Sequence, residues 1–384
     1  MDFDFSEEQY ELRTAVRDYV CAELPTTLAR SMWDDPRGFT DEGWAALAAL
    51  GWLGLSVPEA HGGSGLGTAE LILVCEAMGT TVAPGPFWST VALGAGLVKA
   101  AATEEQRSVL LGGVVDGSGR ITAAVAEANG RWDANAIGLV AKGDSDGGSG
   151  SRSGSEWQLS GEKLFVPDAR SAATILIAAR IGNEIGLFAI ASDTPGLTIE
   201  PMITVDGSRK FDVVVLDGVK AEAATLLGGK PISEAAFDAA LDVARLALAA
   251  ELAGIAEASL ALSVEYALVR EQFGRAIGTF QSIQHKCADM KVDVENTKSL
   301  VYFAAWALDQ GHEDARRAVA MAKAHASEVC PAVVAEAIQI LGGIGFTWEH
   351  DLHMYFKRAK ADEVLLGDGV ESREFVARSL GLGV

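Results

Sequence analysis

The residues most suggestive of chemistry form two short motifs in the C-terminal half of the chain. The first is REQFG at residues 270–274, with Gln281 following, and the second is QILGGIG at residues 339–345. A glycine inside a helix costs roughly 1 kcal/mol relative to alanine. Three glycines within four positions therefore indicate that a helix ends there, or that a ligand must approach the backbone closely.

Composition limits the classes of partner. The 384-residue chain is 49% hydrophobic, which predicts a globular protein with a substantial core. Lys and Arg number 31 against 53 Asp and Glu, for a formal net charge of -22. Such a charge repels phosphate backbones and anionic lipid, so we expect neither nucleic acid nor a membrane surface as a partner.

Neither a metal site nor a secreted protein is indicated. The four cysteines have no paired spacing: Cys21, Cys75, Cys287 and Cys330. This favours a reducing, cytoplasmic location. His350 and His353 lie on one helix face without a third ligand nearby, so we expect packing and capping roles and no metal. No basic, apolar leader is visible, and no run reaches the roughly 18 uncharged apolar residues of a membrane span.

Hydrophobic periodicity divides the chain into three predicted domains. Residues 1–118 have helical spacing, residues 119–229 consist of short β-branched runs, and residues 230–384 are again helical. The predicted fold is mainly α with an antiparallel β middle domain and a C-terminal four-helix bundle. Its long helices are predicted at Ser233–Gln272, Gln281–Gln310, Glu313–Leu341 and Glu349–Leu380. Pro331 should kink or restart the third helix. The Gly/Ser-rich residues 142–157 are expected to form a mobile loop between two strands.

This order of domains, together with the two motifs and with GWLGLSVPEAHGGSG near the N-terminus, resembles the acyl-CoA dehydrogenase family of flavoproteins. The resemblance implies an oligomer in which each FAD is shared between two subunits. It implies that one set of residues holds the ADP half of a neighbour's flavin: Arg270, Phe273, Gln281, Gln339, Gly342 and Gly343. A guanidinium suits a pyrophosphate, and bare backbone lets N–H groups approach it. Taken alone, the Arg and glycines are typical of a helix end.

The family reaction requires a carboxylate base, and the usual positions for it are apolar here. The base removes the α-proton of an acyl-CoA thioester. In most members it is a Glu shortly before the last helix, where this chain has Leu366. In a minority it precedes an Arg on the first long bundle helix, where this chain has Ala244 before Arg245.

The middle domain also departs from the family pattern. Ala126 stands where a Thr would face the flavin ring, Trp132 where a Ser would bind pyrophosphate, and Pro167 where a Thr would bond near N5. Residues that reach a neighbour's flavin are retained, while those for the chain's own site are lost. The chain therefore resembles the subunit of heteromeric acyl-CoA dehydrogenases that lacks the catalytic Glu and completes its partner's FAD site.

Two alternatives remain open. One is a self-sufficient enzyme with a displaced base, either Asp368 or Glu251. For these residues the competing structural roles are a helix N-cap and a buried ion pair, respectively. The other is a flavin-free helical scaffold. The resemblance also implies an acyl-CoA substrate and an electron-transferring flavoprotein as acceptor. The acyl group is not readable from the sequence.

Overall fold

The computed structural model describes residues 5–143 and 156–383. Contacts divide the chain into two compact units. The helical unit comprises Met1–Trp33, Gly67–Pro84 and Arg245–Val384, and the β unit comprises Asp34–Leu66 and Gly85–Ala244. The three-domain boundaries expected from the sequence stay a prediction. Most of the Gly/Ser-rich segment expected to be a mobile loop lies outside the described residues.

The α-helices are, in chain order, α1 Glu7–Glu23, α2 Thr26–Ser31, α3 Asp41–Ala49, α4 Thr68–Gly79, α5 Ala95–Ala101, α6 Glu104–Val115, α7 Glu234–Ala240, α8 Asp242–Val269, α9 Gln281–Asp309, α10 Ala315–Leu341, α11 Leu352–Val364 and α12 Gly369–Ser379. The strands are β1 Ile121–Ala124, β2 Lys142–Gly143, β3 Glu156–Pro167, β4 Thr174–Ile181, β5 Glu184–Ala191, β6 Leu197–Pro201, β7 Phe211–Glu222, β8 Glu271–Gln272 and β9 Arg275–Ala276. A π-helical stretch, Trp88–Gly94, precedes α5.

The helical unit is built on close helix packing. A Cβ added to Gly79 on α4 would lie 2.2 Å from the Glu251 carbonyl oxygen, and one added to Gly254 on α8 would lie 1.9 Å from that of Glu76. Neither position can hold a larger residue unless the helices separate, so these glycines serve packing. The Ala- and Gly-rich sequence of α8 is thereby explained.

Two of the predicted long helices are each broken into two. The first divides at Leu241 into α7 and α8, and the last divides between Val364 and Gly369 into α11 and α12. In the second break, Leu366 has a φ of 57° and Gly367 a φ of 103°, which no α-helix accommodates. Asp368 then caps α12. By contrast, α10 continues through Pro331 without interruption.

The β unit contains two sheets. One has the order β1-β4-β5 and the other the order β2-β3-β7-β6. The pairs are antiparallel as predicted, except that β1 runs parallel to β4. Strands of both sheets contribute to one core, which includes Leu159, Ile177, Phe188 and Val214.

Within residues 5–143 and 156–383, two helical stretches are long and apolar enough to cross a membrane: Glu234–Val269 and Ala315–Phe346. Their most apolar windows are 72% and 50% buried inside the protein. Helices in the core of a bundle have the same composition, so this similarity assigns no membrane role.

Candidate functional site

Helices α9 and α10 run antiparallel and bring the two sequence motifs to one end of the helical unit. Lys286 on α9 forms an ion pair with Glu336 on α10. Further along, the Thr297 hydroxyl lies 3.0 Å from Nδ1 of His325. Both contacts fit the same antiparallel alignment of the two helices. That register places Gln281, the first residue of α9, level with Leu341, the last residue of α10.

The REQFG motif folds as a two-residue hairpin after α8. Gln272 on β8 pairs with Arg275 on β9, and Phe273 and Gly274 form the turn with φ values of 54° and 76°. Two successive positive φ values are typical of a type I′ turn. A bulky residue is strained there, yet Phe273 keeps this conformation with its side chain 93% exposed.

Three polar side chains of the two motifs have no hydrogen bond or ion pair among the described residues, whereas Nε2 of Gln272 donates to the Glu271 carbonyl at 2.8 Å. Arg270, Gln281 and Gln339 are all exposed. Among the described residues, the Arg270 guanidinium has no hydrogen bond or ion pair, although its backbone N–H donates to Tyr266 and its carbonyl accepts from Ile277. This end of the bundle therefore presents a free cation and two amides to solvent.

The glycines of the second motif have different structural roles. Gly342 ends α10 with φ 65° and ψ -139°, a conformation that L-residues avoid. Gly345 packs closely, since an added Cβ would lie 3.2 Å from the Ile338 carbonyl oxygen. Gly343 has no positive φ, and a Cβ added to it would meet nothing within 4 Å. The backbone conformation thus favours glycine at 342 and close packing disfavours a larger residue at 345, whereas neither constraint applies to Gly343.

These groups suit a phosphate-bearing ligand. A free guanidinium pairs well with phosphate oxygens, and backbone without side chains allows N–H groups to approach them. Because all six predicted residues are exposed or partly exposed, they can complete a binding site on another molecule.

Comparison with known proteins identifies the family. Residues 6–118 match the acyl-CoA dehydrogenase N-terminal domain, and residues 235–381 match the acyl-CoA dehydrogenase C-terminal domain. A probable acyl-CoA dehydrogenase of Bacillus subtilis, YngJ, is 32% identical, over 99% of this chain and 100% of the relative. The chain belongs to the acyl-CoA dehydrogenase family.

Solved structures of the family share its fold. Butyryl-CoA dehydrogenase from Megasphaera elsdenii is 28% identical with a TM-score of 0.88, covering 99% of this chain and 100% of that one. A chain of the ChsE4-ChsE5 complex from Mycobacterium tuberculosis is 26% identical with a TM-score of 0.86, covering 100% of both chains.

At both positions where the sequence resemblance predicts the base, the structure has a buried apolar side chain. Leu366 is 2% exposed, and its carbonyl accepts a hydrogen bond from Nε of Arg245 at 3.1 Å. Ala244 is fully buried, and its carbonyl accepts from Nε1 of Trp88 at 3.0 Å. Neither side chain can accept a proton.

The two alternative carboxylates are engaged elsewhere. Glu251 is buried and paired with the buried Arg358, as its structural interpretation predicted. Oδ1 of Asp368 accepts hydrogen bonds from the backbone N–H groups of Val370, at 2.8 Å, and Glu371, at 2.9 Å. Asp368 is thus the N-cap of α12, which was its competing structural role.

Asp368 also lines a cavity of about 400 Å³ whose walls come from α10, α11 and α12. The two cations of the lining are both paired, Arg373 with Glu328 and Lys360 with Glu363. The lining has three carboxylates, Glu328, Glu363 and Asp368, and both of its cations are already ion-paired. This cavity is therefore a poor site for a phosphate group.

In the β unit, two of the three departures from the expected family pattern, Ala126 and Pro167, have side chains that cannot donate a hydrogen bond, while Trp132 keeps only an indole N–H. Ala126 and Trp132 are buried, and the Ala126 carbonyl accepts from the backbone N–H of Leu164. Pro167 has no N–H, and its carbonyl accepts from Oγ1 of Thr122 at 2.5 Å.

The two histidines of the TWEHDLHMYF segment have packing and capping roles. Nδ1 of His350 accepts the backbone N–H of Leu352 at the start of α11, and His353 packs against Trp348. Within residues 5–143 and 156–383, no three His, Cys, Asp or Glu side chains form a group that could hold a metal ion.

One buried cation near the turn that carries Leu366 was missed by sequence reasoning. Nζ of Lys323 on α10 donates to Oγ of Ser327 and to the carbonyls of Asp362 and Glu363, at 2.8–3.0 Å. These carbonyls lie in the last turn of α11, where the helix dipole favours a cation. Burial nevertheless lowers the pKa of Lys323 to about 7. A lysine within the Ala-rich sequence AMAKAHA has no local feature that distinguishes it from an ordinary surface residue.

Proposed function

We propose that this chain is the subunit of a heteromeric acyl-CoA dehydrogenase that completes the FAD site of a partner subunit carrying the catalytic Glu. FAD is the cofactor of the family, and when bound it accepts the hydride removed from the acyl-CoA. The proposed reaction is α,β-dehydrogenation of an acyl-CoA thioester.

One observation carries the proposal: the residues proposed to contact a partner's FAD are exposed or partly exposed, whereas both proposed base positions are buried and apolar. Arg270 is exposed and uncommitted, and Gly343 lacks a side chain for no reason internal to the fold. Leu366 and Ala244 cannot take the α-proton. A chain that has the FAD-contacting residues but no base can function when another subunit supplies the base.

In the proposed complex, Arg270 binds the pyrophosphate, and Gln281 and Gln339 hydrogen-bond the ADP half. The backbone at Gly342 and Gly343 approaches the same group, and Phe273 covers it. The ChsE4-ChsE5 complex, composed of two differently named chains, supports a heteromeric arrangement for a protein of this fold. We further propose a cytoplasmic location and an electron-transferring flavoprotein as the acceptor.

The test compares the isolated chain with a mixture containing a homologue that carries Glu at either base position. Each sample is reconstituted with FAD and mixed anaerobically with short, long and sterol-like acyl-CoA thioesters, and flavin bleaching is followed. We expect slow or no bleaching by the isolated chain and fast bleaching by the mixture.

Other results would distinguish the alternatives. Fast bleaching by the isolated chain, abolished by Asp368→Asn or Glu251→Gln, would favour the self-sufficient enzyme with a displaced base. Failure of the chain to retain flavin in either sample would favour the flavin-free scaffold. Either result would overturn the proposal that this chain completes the FAD site of a partner subunit.

A further inference from the structure

We propose that α2, together with Trp33 just after it, forms a clamp that positions the glycine backbone at the end of α10, and that Arg30 and Trp33 are its positioning residues. The segment it holds, Gly342–Asp351, is termed the connector because it joins α10 to α11. The inference rests on the proposed cofactor role of Gly342 and Gly343, and it assigns a function in cofactor binding to residues more than 300 positions earlier in the chain.

The polar part of the clamp, Thr26 and Arg30, binds the C-terminal end of the connector. Oγ1 of Thr26 donates to Oδ2 of Asp351 at 2.6 Å, and Nε of Arg30 donates to Oδ1 at 3.2 Å. Nη2 of Arg30 pairs with the same carboxylate. Nη1 donates to the Trp348 carbonyl at 2.5 Å. One guanidinium therefore holds both a side chain and the backbone of the connector.

The aromatic half of the clamp lies beside it. The Trp33 ring meets the Trp348 ring edge to face, with centroids 6.2 Å apart, and His353 packs against both rings. Nζ of Lys357 lies over the two indoles, 4.9 Å from the Trp33 centroid and 4.1 Å from that of Trp348. Such cation–π and edge-to-face contacts hold Trp348 although most of its surface is exposed.

The clamp and α10 fix the connector at opposite ends. At the start, Gly342 donates its N–H to the Ile338 carbonyl and continues into a 3-10 turn that ends at Phe346. Only Thr347 separates this turn from Trp348. A short segment held at both ends has few alternative conformations, so its N–H groups are already arranged when the cofactor binds. Without the clamp, binding must also order the connector.

The test uses the complete FAD-loaded oligomer and measures two quantities, the FAD dissociation constant by flavin release and hydrogen exchange of residues 342–351. The variants are Arg30→Gln and Trp33→Leu. The matched control is Arg37→Gln, which breaks another Arg–Asp pair, Arg37–Asp41. We expect about tenfold weaker FAD binding and faster exchange in the connector for both clamp variants, with neither change in the control. Should Arg30→Gln fail to fold, Arg30→Lys keeps the charge and loses the forked contact.

The outcomes distinguish failure of the clamp from failure of the proposed FAD-binding role. If Arg270→Ala weakens FAD binding while both clamp variants bind FAD normally, the clamp proposal is wrong and the proposed FAD-binding role of Arg270 stands. If Arg270→Ala also leaves the affinity unchanged, the proposed cofactor role fails and the clamp fails with it. Restored affinity and protection in Arg30→Asp combined with Asp351→Arg would support the clamp, because general destabilisation is not repaired by exchanging two charges.

Discussion

The carboxylate of Glu251 on α8 is held by Nη1 of Arg358 on α11, and both residues are buried, with 4% and 2% of their surface exposed. A carboxylate committed to a buried guanidinium keeps its charge in the ion pair and is not available to take up a substrate proton. This pairing assigns Glu251 to the structure of the helical unit.

Glu251→Gln is therefore expected to lower the free energy of unfolding by about 3–5 kcal/mol, since it removes the counter-charge that Glu251 provides to the buried Arg358. The double variant Glu251→Leu with Arg358→Met should recover most of this loss. Denaturant unfolding of the wild type, Glu251→Gln and the double variant measures these free energies. A stable Glu251→Gln protein that had lost catalysis would instead identify Glu251 as the base.

Two neighbouring glycines should respond differently to alanine. Gly343→Ala is expected to leave the unfolding midpoint unchanged and to weaken FAD binding, because the added methyl meets nothing in the chain itself. Gly342→Ala should destabilise the protein by about 1–3 kcal/mol, because its φ of 65° and ψ of -139° are strained for an L-residue. Thermal unfolding and flavin release on the same samples test the contrast. Normal FAD affinity in Gly343→Ala would remove the reason given for that glycine.

Arg270→Ala should weaken FAD binding by one to two decades in the complete oligomer. This corresponds to the roughly 1.5–3 kcal/mol of a charge-assisted hydrogen bond. Flavin release measures the dissociation constant. Arg378→Ala is a suitable control, because Arg378 is an exposed arginine paired with Glu374 on α12. Equal FAD affinity in the Arg270 and Arg378 variants would refute the pyrophosphate assignment.

Lys323 should make stability depend on pH. Its pKa is lowered by burial from the usual 10.5 to about 7 in the folded protein. Between these values the unfolded chain binds more protons, so the contribution of Lys323 to stability rises as pH increases from about 7 to about 10. It is lost as pH falls back through this window to 7 and below. The unfolding free energy of wild type minus that of Lys323→Met should rise over this window, by at most about 1.4 kcal/mol per pH unit. A flat difference would show that Lys323 titrates normally.

Leu366→Glu is not expected to restore full activity to the isolated chain. The new side chain would stand on a backbone with φ 57°, and the buried Ala126 and Pro167 would still offer no side-chain donor in the β unit. Anaerobic bleaching, with Leu366→Gln as the control that cannot take a proton, measures the gain. Rapid bleaching by the Glu variant alone would show that only the base was missing.

The fold class was readable from the sequence because it depends on local periodicity. The helical spacing of the N- and C-terminal segments and the β-branched runs between them predicted the elements that the structure contains. The break at Leu366 was missed because Leu has a high helix propensity, and its carbonyl hydrogen-bonds Arg245, a residue that is distant along the chain. The parallel pairing of β1 with β4 likewise depends on contacts between distant strands.

The candidate site was predicted as a set of residue types, but only the tertiary structure assigned their roles. The sequence identified three glycines after a helix; the structure gave Gly342 a positive φ and Gly345 a tightly packed position, and it gave Gly343 neither constraint. The sequence left Glu251 and Asp368 open as alternative bases; their hydrogen bonds committed one to Arg358 and the other to the start of α12. Nothing in the sequence connected Arg30 with Asp351, since these residues meet only after the chain has folded. Local pattern is determined by neighbouring residues along the chain, whereas charge pairing and backbone positioning are determined by residues that packing brings together from far apart.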